Sequence, residues 1–213
     1  MIASNCKSNI DIIIDKLIFL NNKFNGTFIE CGANDGKNDS ISYYFEKNYG
    51  WSGYLIEPQA ELMERCKKVR SSSNIFIQKG LGNKNQKLEM TIPTDNVDNA
   101  SFSLSDAHID ELHRLGYGAE FKKETIDVIS YLTLIKKYNI KNIDLAIFDV
   151  EGYENKILKS MMNSDILPDV LVVETDWSDK DELINIVEPK YVIFNIFPHD
   201  IVFLRKYEAK ETI

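Results

Sequence analysis

The chain has 213 residues, enough for one domain, and its 44% apolar and 11% aromatic content is ordinary for a globular protein. A formal charge of −8 argues against a nucleic-acid partner and against an anionic membrane surface, both of which would want a basic face. Three cysteines without a CxxC pair, no apolar run near the eighteen or so residues of a membrane span and no visible signal peptide fit a reduced, cytoplasmic protein without membrane insertion.

An amphipathic helix is expected over 10–20, where Ile10, Ile13, Ile14, Leu17 and Ile18 recur at helical spacing and Asn9 stands as its cap. Asn25-Gly26 breaks the chain, and 27–31 reads as a short buried strand. A glycine-bearing turn follows over 32–36, then a helix over 39–48. Tyr54-Leu55-Ile56 is a second strand, 59–70 a helix and 75–77 a third strand. Such alternation with continuous apolar strands predicts a mostly parallel sheet covered by helices on both faces, a Rossmann-like α/β fold. A less regular stretch comes next. An edge strand is expected over 87–93, a polar loop over 95–105, a short helix over 106–115 and a strand over 125–128. A helix over 131–138, a strand over 143–148, a helix over 154–162, a strand over 170–173 and a helix over 179–187 restore the pattern. Two final strands, 191–197 and 201–205, are joined by Pro198-His199-Asp200 and predict an antiparallel hairpin. The whole reads as a single domain over 1–213, with an N-terminal helical segment over 1–26 and a substrate-side insertion over 83–125.

The chemistry concentrates at two strand ends. Glu30-Cys31-Gly32-Ala33-Asn34-Asp35-Gly36 leads from a strand into a helix, where glycines let the backbone approach a ligand and the helix start presents free amides. Glu30 suits a cationic amino group. Glu57, twenty-one residues after Gly36 and followed by Pro58, is placed to accept from both hydroxyls of a ribose. A dinucleotide fingerprint would need glycine where Asn34 stands, and the acidic Asp35 makes a poor pyrophosphate cradle. The loop better suits a nucleoside with a zwitterionic tail and a sulfonium, which describes S-adenosylmethionine. The second site is Asp149-Val150-Glu151-Gly152-Tyr153-Glu154, after the strand that ends at Phe148. Ligands in open α/β sheets bind beyond the carboxyl ends of the strands, so Asp149 should face the same crevice. Asp149 and Glu151 suit acid–base work or a divalent cation with oxygen ligands. Glu154 is better read as favouring the start of the next helix.

These stretches resemble the FkbM family of S-adenosylmethionine-dependent methyltransferases. The matching segments are 28–36, 53–58 and 143–154, with weaker likeness at Gly80-Leu81-Gly82 and over 200–205. The resemblance implies a class I methyltransferase fold that O-methylates a hydroxyl of a sugar, a glycan precursor or a secondary metabolite. It places Glu30, Gly32, Asn34 and Gly36 along the methionine part of the cofactor, Glu57 at the ribose, Leu81 beside Gly80 near the adenine, and Asp149 by the transferred methyl. Two departures stand out. Many members carry a lysine where this chain has Ile147, and an aspartate where it has Glu30.

His108 and His113, on the inserted stretch, are further candidates to deprotonate an acceptor hydroxyl, against the plainer reading of a solvated helix face. His199, in the hairpin turn, reads as an exposed turn residue. Cys31 reads as a small residue fitted into the turn, not a nucleophile. Two rivals share the fold: a nicotinamide-dependent oxidoreductase and a non-catalytic nucleoside-binding module.

Overall fold

The computed structural model describes residues 2–4, 6–94, 109–110, 113–114, 116 and 120–207. Ten strands and six α-helices are labelled here in chain order. The first half runs α1 (Ile10–Leu17), β1 (Thr27–Cys31), α2 (Ile41–Tyr49), β2 (Ser52–Ile56), α3 (Ala60–Val69), β3 (Ile75–Ile77), β4 (Gly80–Gly82) and β5 (Gln86–Pro93). The second runs β6 (Phe121–Ser130), α4 (Tyr131–Lys137), β7 (Leu145–Phe148), α5 (Glu154–Met161), β8 (Val170–Glu174), α6 (Lys180–Val187), β9 (Tyr191–Ile196) and β10 (Asp200–Arg205).

Seven strands form one sheet in the order β3-β2-β1-β7-β8-β10-β9, parallel except for β10. Chain order reverses between β1 and β7. That is the switch point at which a crevice opens beyond the strand ends in doubly wound sheets. The predicted Rossmann-like α/β architecture with its C-terminal hairpin is the one found.

β7 and the first four residues of β8 are wholly apolar because both faces of the sheet are covered there. Alternate residues of one strand serve opposite cores. Ile29, Ala146 and Phe148 join Leu171, Val173 and the inward faces of α4, α5 and α6. Phe28, Leu145 and Ile147 join Val172, Trp51 and the inward faces of α1 and α2. Each fully buried side chain of this size contributes roughly 1.5–3 kcal/mol over leaving it in water. The four residues of β7 are all buried, so the central strand is fixed from both sides.

Four departures from the sequence reading stand out. Helix α1 ends at Leu17 rather than 20, because Leu20 and Asn21 take left-handed conformations (φ 55° and 54°). Asn9 precedes that helix at φ 51° and makes no side-chain cap bond. Gly80–Gly82 is itself a strand, and the strand expected over 125–128 extends over Phe121–Ser130. Together with β5 they make a second, three-stranded sheet in the order β4-β6-β5. The polar loop expected over 95–105 lies outside the described residues.

Candidate functional site

A crevice of about 580 Å³ lies at the switch point, over the carboxyl ends of β1, β2, β7 and β8. The turn after β1 forms its floor. Gly32 N–H and Ala33 N–H both donate to Ile56 O at 3.1 Å, tying the turn to the end of β2. Gly32 has φ 85°, and a Cβ there would stand 1.8 Å from Asp149 O. Asp149 N–H in turn donates to Cys31 O at 3.1 Å. Glycine at this position therefore lets two strand tips close on each other. Gly36 has a similar cause, since a Cβ there would meet Cys66 Sγ at 2.6 Å and the Arg70 stem at 2.9 Å. The expectation that both glycines open the backbone to a ligand is thus revised. Gly32 lines the crevice, whereas the space at Gly36 is filled by α3 and Arg70.

Glu57 is 4% exposed and lines the crevice. Its Oε2 accepts from Asn34 N–H at 3.1 Å and its Oε1 from Gln59 N–H at 2.9 Å. Both carboxylate oxygens are thus anchored at the crevice wall by backbone amides. Asn34 (φ 46°), Pro58, Gly80 and Leu81 line the same end.

Glu30 lines the crevice, and its carboxylate also has partners inside the protein. Its Oε2 accepts from Ser40 Oγ at 2.8 Å, Ser42 Oγ at 2.6 Å and Arg70 Nη1 at 3.3 Å. Arg70 also donates Nε to Glu46 Oε2 at 2.7 Å, and neither partner is open to solvent. The charge of Glu30 is thus met inside the protein, where it braces the start of α2 beneath the turn. The network extends from Arg70, just past the end of α3, and no motif at the turn signalled it. Asp35 is likewise occupied: its carboxylate accepts from Lys37 N–H, Asn38 N–H and Asn38 Nδ2 in a local turn. Neither Asp35 nor the buried Ala33 is among the lining residues.

At the other end stand Ile147, Asp149, Val150 and Glu151. Glu151 has φ 57°, a strained conformation for a non-glycine residue, and Gly152 follows at φ 94°. Glu154 holds this loop: Oε1 accepts from Val150 N–H at 2.9 Å and Gly152 N–H at 3.3 Å, and Oε2 from Ser178 Oγ at 2.6 Å. It stands in the first turn of α5, where the sequence reading placed it.

Three residues at this end carried no sequence signal of their own: Glu174, Asp176 and His199. β10 runs antiparallel to β8, with Asp200 opposite Glu174, so the β9–β10 turn returns to the crevice edge. His199 O accepts from Thr175 N–H at 2.8 Å, and His199 Nδ1 lies 2.9 Å from both oxygens of the Asp176 carboxylate. The turn histidine is exposed, as read, but it lines the site. Of the two inserted histidines, His108 lies outside the described residues. His113 is exposed, its ring 6.4 Å from that of Phe121, and it is not among the lining residues.

Electrostatically the crevice is one-signed. Its lining holds acids at both ends and neither lysine nor arginine among the described residues. Burial, then the neighbouring Glu154, Asp149 and Glu151 carboxylates, push the Glu174 carboxyl up to about 11. Burial and Glu57 push the Cys31 thiol well above its ordinary value, so it stays protonated and inert. Among the described residues no group of three or more histidine, cysteine, aspartate or glutamate side chains is arranged to hold a metal ion. Nor is any helix among them long and apolar enough to cross a membrane.

Compared with known families, residues 30–206 match the methyltransferase FkbM domain. The chain belongs to the FkbM methyltransferase family. As a member of it, the chain is a methyltransferase whose family implies S-adenosylmethionine as methyl donor. No curated protein sequence matches the chain. Among solved structures it is similar to a putative rRNA methylase from Clostridium thermocellum, at 9% identity over 98% of this chain and 100% of that one, with a TM-score of 0.48. It is also similar to a TehB-like SAM-dependent methyltransferase from Corynebacterium glutamicum, at 11% identity over 90% of this chain and 86% of that one, with a TM-score of 0.44.

Proposed function

We propose that this FkbM methyltransferase transfers a methyl group from S-adenosylmethionine to a hydroxyl of a small acceptor: a sugar, a glycan precursor or a secondary metabolite. The observation that carries the reading is the pairing of Glu57 with the Asn34 amide across the mouth of the turn at 3.1 Å, beside a crevice of about 580 Å³. Pockets of that size hold drug-sized ligands.

The residues fit the cofactor. Glu57 would accept from the ribose hydroxyls. Gly32 and Asn34 would line the methionine tail, and Pro58, Gly80 and Leu81 the adenine side. When bound, the cofactor supplies a methyl group on a sulfonium, already a good leaving group. The protein's part is then alignment, exclusion of water and proton removal. Asp149, projecting beyond β7, would sit by the reacting centre. Asp149 and Glu151 are the first choices for accepting the acceptor's proton, with the inserted histidines His113 and His108 as the further candidates. A divalent cation has no assigned place in this scheme.

Isothermal calorimetry tests the reading. S-adenosylhomocysteine should bind at one site per chain, while NADH and NADPH show no saturable heat. Saturable nicotinamide binding without homocysteine-nucleoside binding would overturn it in favour of the oxidoreductase. Binding with no transfer to any acceptor hydroxyl would favour the non-catalytic module.

A further inference from the structure

The acceptor end of the crevice holds more negative charge than a bound cofactor would use. S-adenosylmethionine carries a sulfonium, an ammonium and a carboxylate, one positive charge in excess. Glu57 sits at the ribose end. Asp149, Glu151, Glu174, Asp176 and Asp200 all line the β7–β8–β10 side, and no lysine or arginine lines it among the described residues. Part of Asp176 is taken by His199 Nδ1 at 2.9 Å.

Glu174 marks where the excess is aimed. The residue is 7% exposed and lines the crevice. Its Oε1 accepts from Asp176 N–H, but its Oε2 is buried with no hydrogen-bond partner among the described residues. An orphaned buried carboxyl oxygen is costly, and a native fold rarely keeps one without a use. Trp177, half-buried, follows two residues on from Asp176's neighbour Thr175 and lines the same side, giving an aromatic surface next to the acids. Carboxyl oxygen, further acids and an indole make a set that suits an ammonium ion.

We propose that the acceptor carries a cationic amino group and that Glu174 Oε2 receives it, with Trp177 alongside. The proposal rests on the methyltransferase reading only for the word acceptor. Among the described residues, the groups facing Glu174 are Asp149 and Glu151 from the loop after β7, Glu154 from α5, Asp176 after β8, His199 from the β9–β10 turn and Asp200 at the start of β10. All but the histidine are acids, so an arriving cation would favour the ionised form of Glu174 and displace its proton.

The test uses the full chain and three probes of one length: n-butylammonium, 1-butanol and butanoate. The chain has two tryptophans, so the indole N–H signals in a nitrogen-correlated NMR spectrum report separately on Trp177 and on the core Trp51. Trp177→Phe assigns them. With S-adenosylhomocysteine bound, n-butylammonium should shift the Trp177 signal saturably, at least tenfold more tightly than either other probe, and leave Trp51 in place. Glu174→Gln should reduce that preference at least fivefold while keeping the spectrum of a folded protein. Calorimetry in buffers of different ionisation enthalpy should show proton release on n-butylammonium binding that Glu174→Gln abolishes. Equal binding of 1-butanol, no Trp177 shift by any probe, or a preference untouched in Glu174→Gln each overturns the proposal. Failure of S-adenosylhomocysteine to bind would instead sink the cofactor reading, and the probe series can be read on the free protein.

Discussion

Glu57 Oε2 and the Asn34 amide meet at 3.1 Å, so the acid at the tip of β2 holds the turn that follows β1. One carboxylate both shapes the cofactor end and faces it. Glu57→Ala should weaken S-adenosylhomocysteine binding about 100-fold, because a hydrogen bond to a charged group is worth about 1.5–3 kcal/mol and Glu57 would make more than one to the ribose. Glu57→Gln should recover part of the loss, since its amide oxygen still accepts. Calorimetry reads both. Affinity unchanged in Glu57→Ala would remove Glu57 from the ribose.

The contrast between Glu57 and Glu30 shows how far the sequence could be read. Glu57 was legible because a strand end, a proline and its distance from the turn fix its place by local geometry alone. The sheet itself was legible for the same reason: runs such as Leu145–Phe148 are apolar because helices cover both faces. Glu30 also lines the crevice at its strand tip, but its second role was not legible. It bonds Arg70, forty residues away just past the end of α3, and a contact of that separation leaves no local pattern. His199 is the converse case. Its turn reads as surface, and only the antiparallel return of β10 against β8 carries it to the crevice. The three-stranded sheet was partly missed because Gly80–Gly82 is too short and glycine-rich to read as a strand.

Gly32 supplies a second prediction. A Cβ at this position would lie 1.8 Å from Asp149 O, on backbone at φ 85°. The nearest atom is backbone of the neighbouring strand tip, so no side-chain rotation relieves the clash. Gly32→Ala should destabilise the fold by about 3 kcal/mol, from the left-handed strain and the separation of β1 from β7. Thermal unfolding should show a Tm lower by roughly 6–12 °C. A Tm within the error of the parent would mean that the two tips do not approach as described.

The buried cluster around Arg70 gives a third. Arg70 serves Glu30 at 3.3 Å and Glu46 at 2.7 Å, with all three side chains nearly closed to water. Arg70→Met would remove the guanidinium from Glu30 and leave Glu46 with Lys47 alone, and should cost about 3–5 kcal/mol at neutral pH. Burial pushes Glu46 up, but Arg70, Lys47 and Asn74 outweigh it and hold the carboxyl below its ordinary 4.5. A depressed acid stabilises the fold above the unfolded value and loses that contribution as pH falls below it. In Arg70→Met only Lys47 and Asn74 would oppose the burial of Glu46, so its carboxyl would rise and take up a proton more readily. The gap between parent and variant should therefore narrow as pH is lowered from 7 towards 4.5. Urea titrations at a series of pH values measure it, and a gap independent of pH would contradict the pairing.

Glu174 predicts a dependence of the opposite sign. Burial, with Glu154, Asp149 and Glu151 nearby, pushes its carboxyl up to about 11, against an ordinary 4.5. Between those limits the folded protein holds a proton that the unfolded chain releases. Stability linked to this group is fully present below pH 4.5 and declines as pH rises through the window. The slope for one such proton is at most about 1.4 kcal/mol per pH unit. Glutamine does not titrate, so Glu174→Gln should match the parent near pH 4.5 and become the more stable protein by pH 8, with a visibly flatter curve. Parallel curves for the two proteins from pH 5 to 8 would show that Glu174 is ionised in the fold, and that the acids at the end of β8 do not crowd one another.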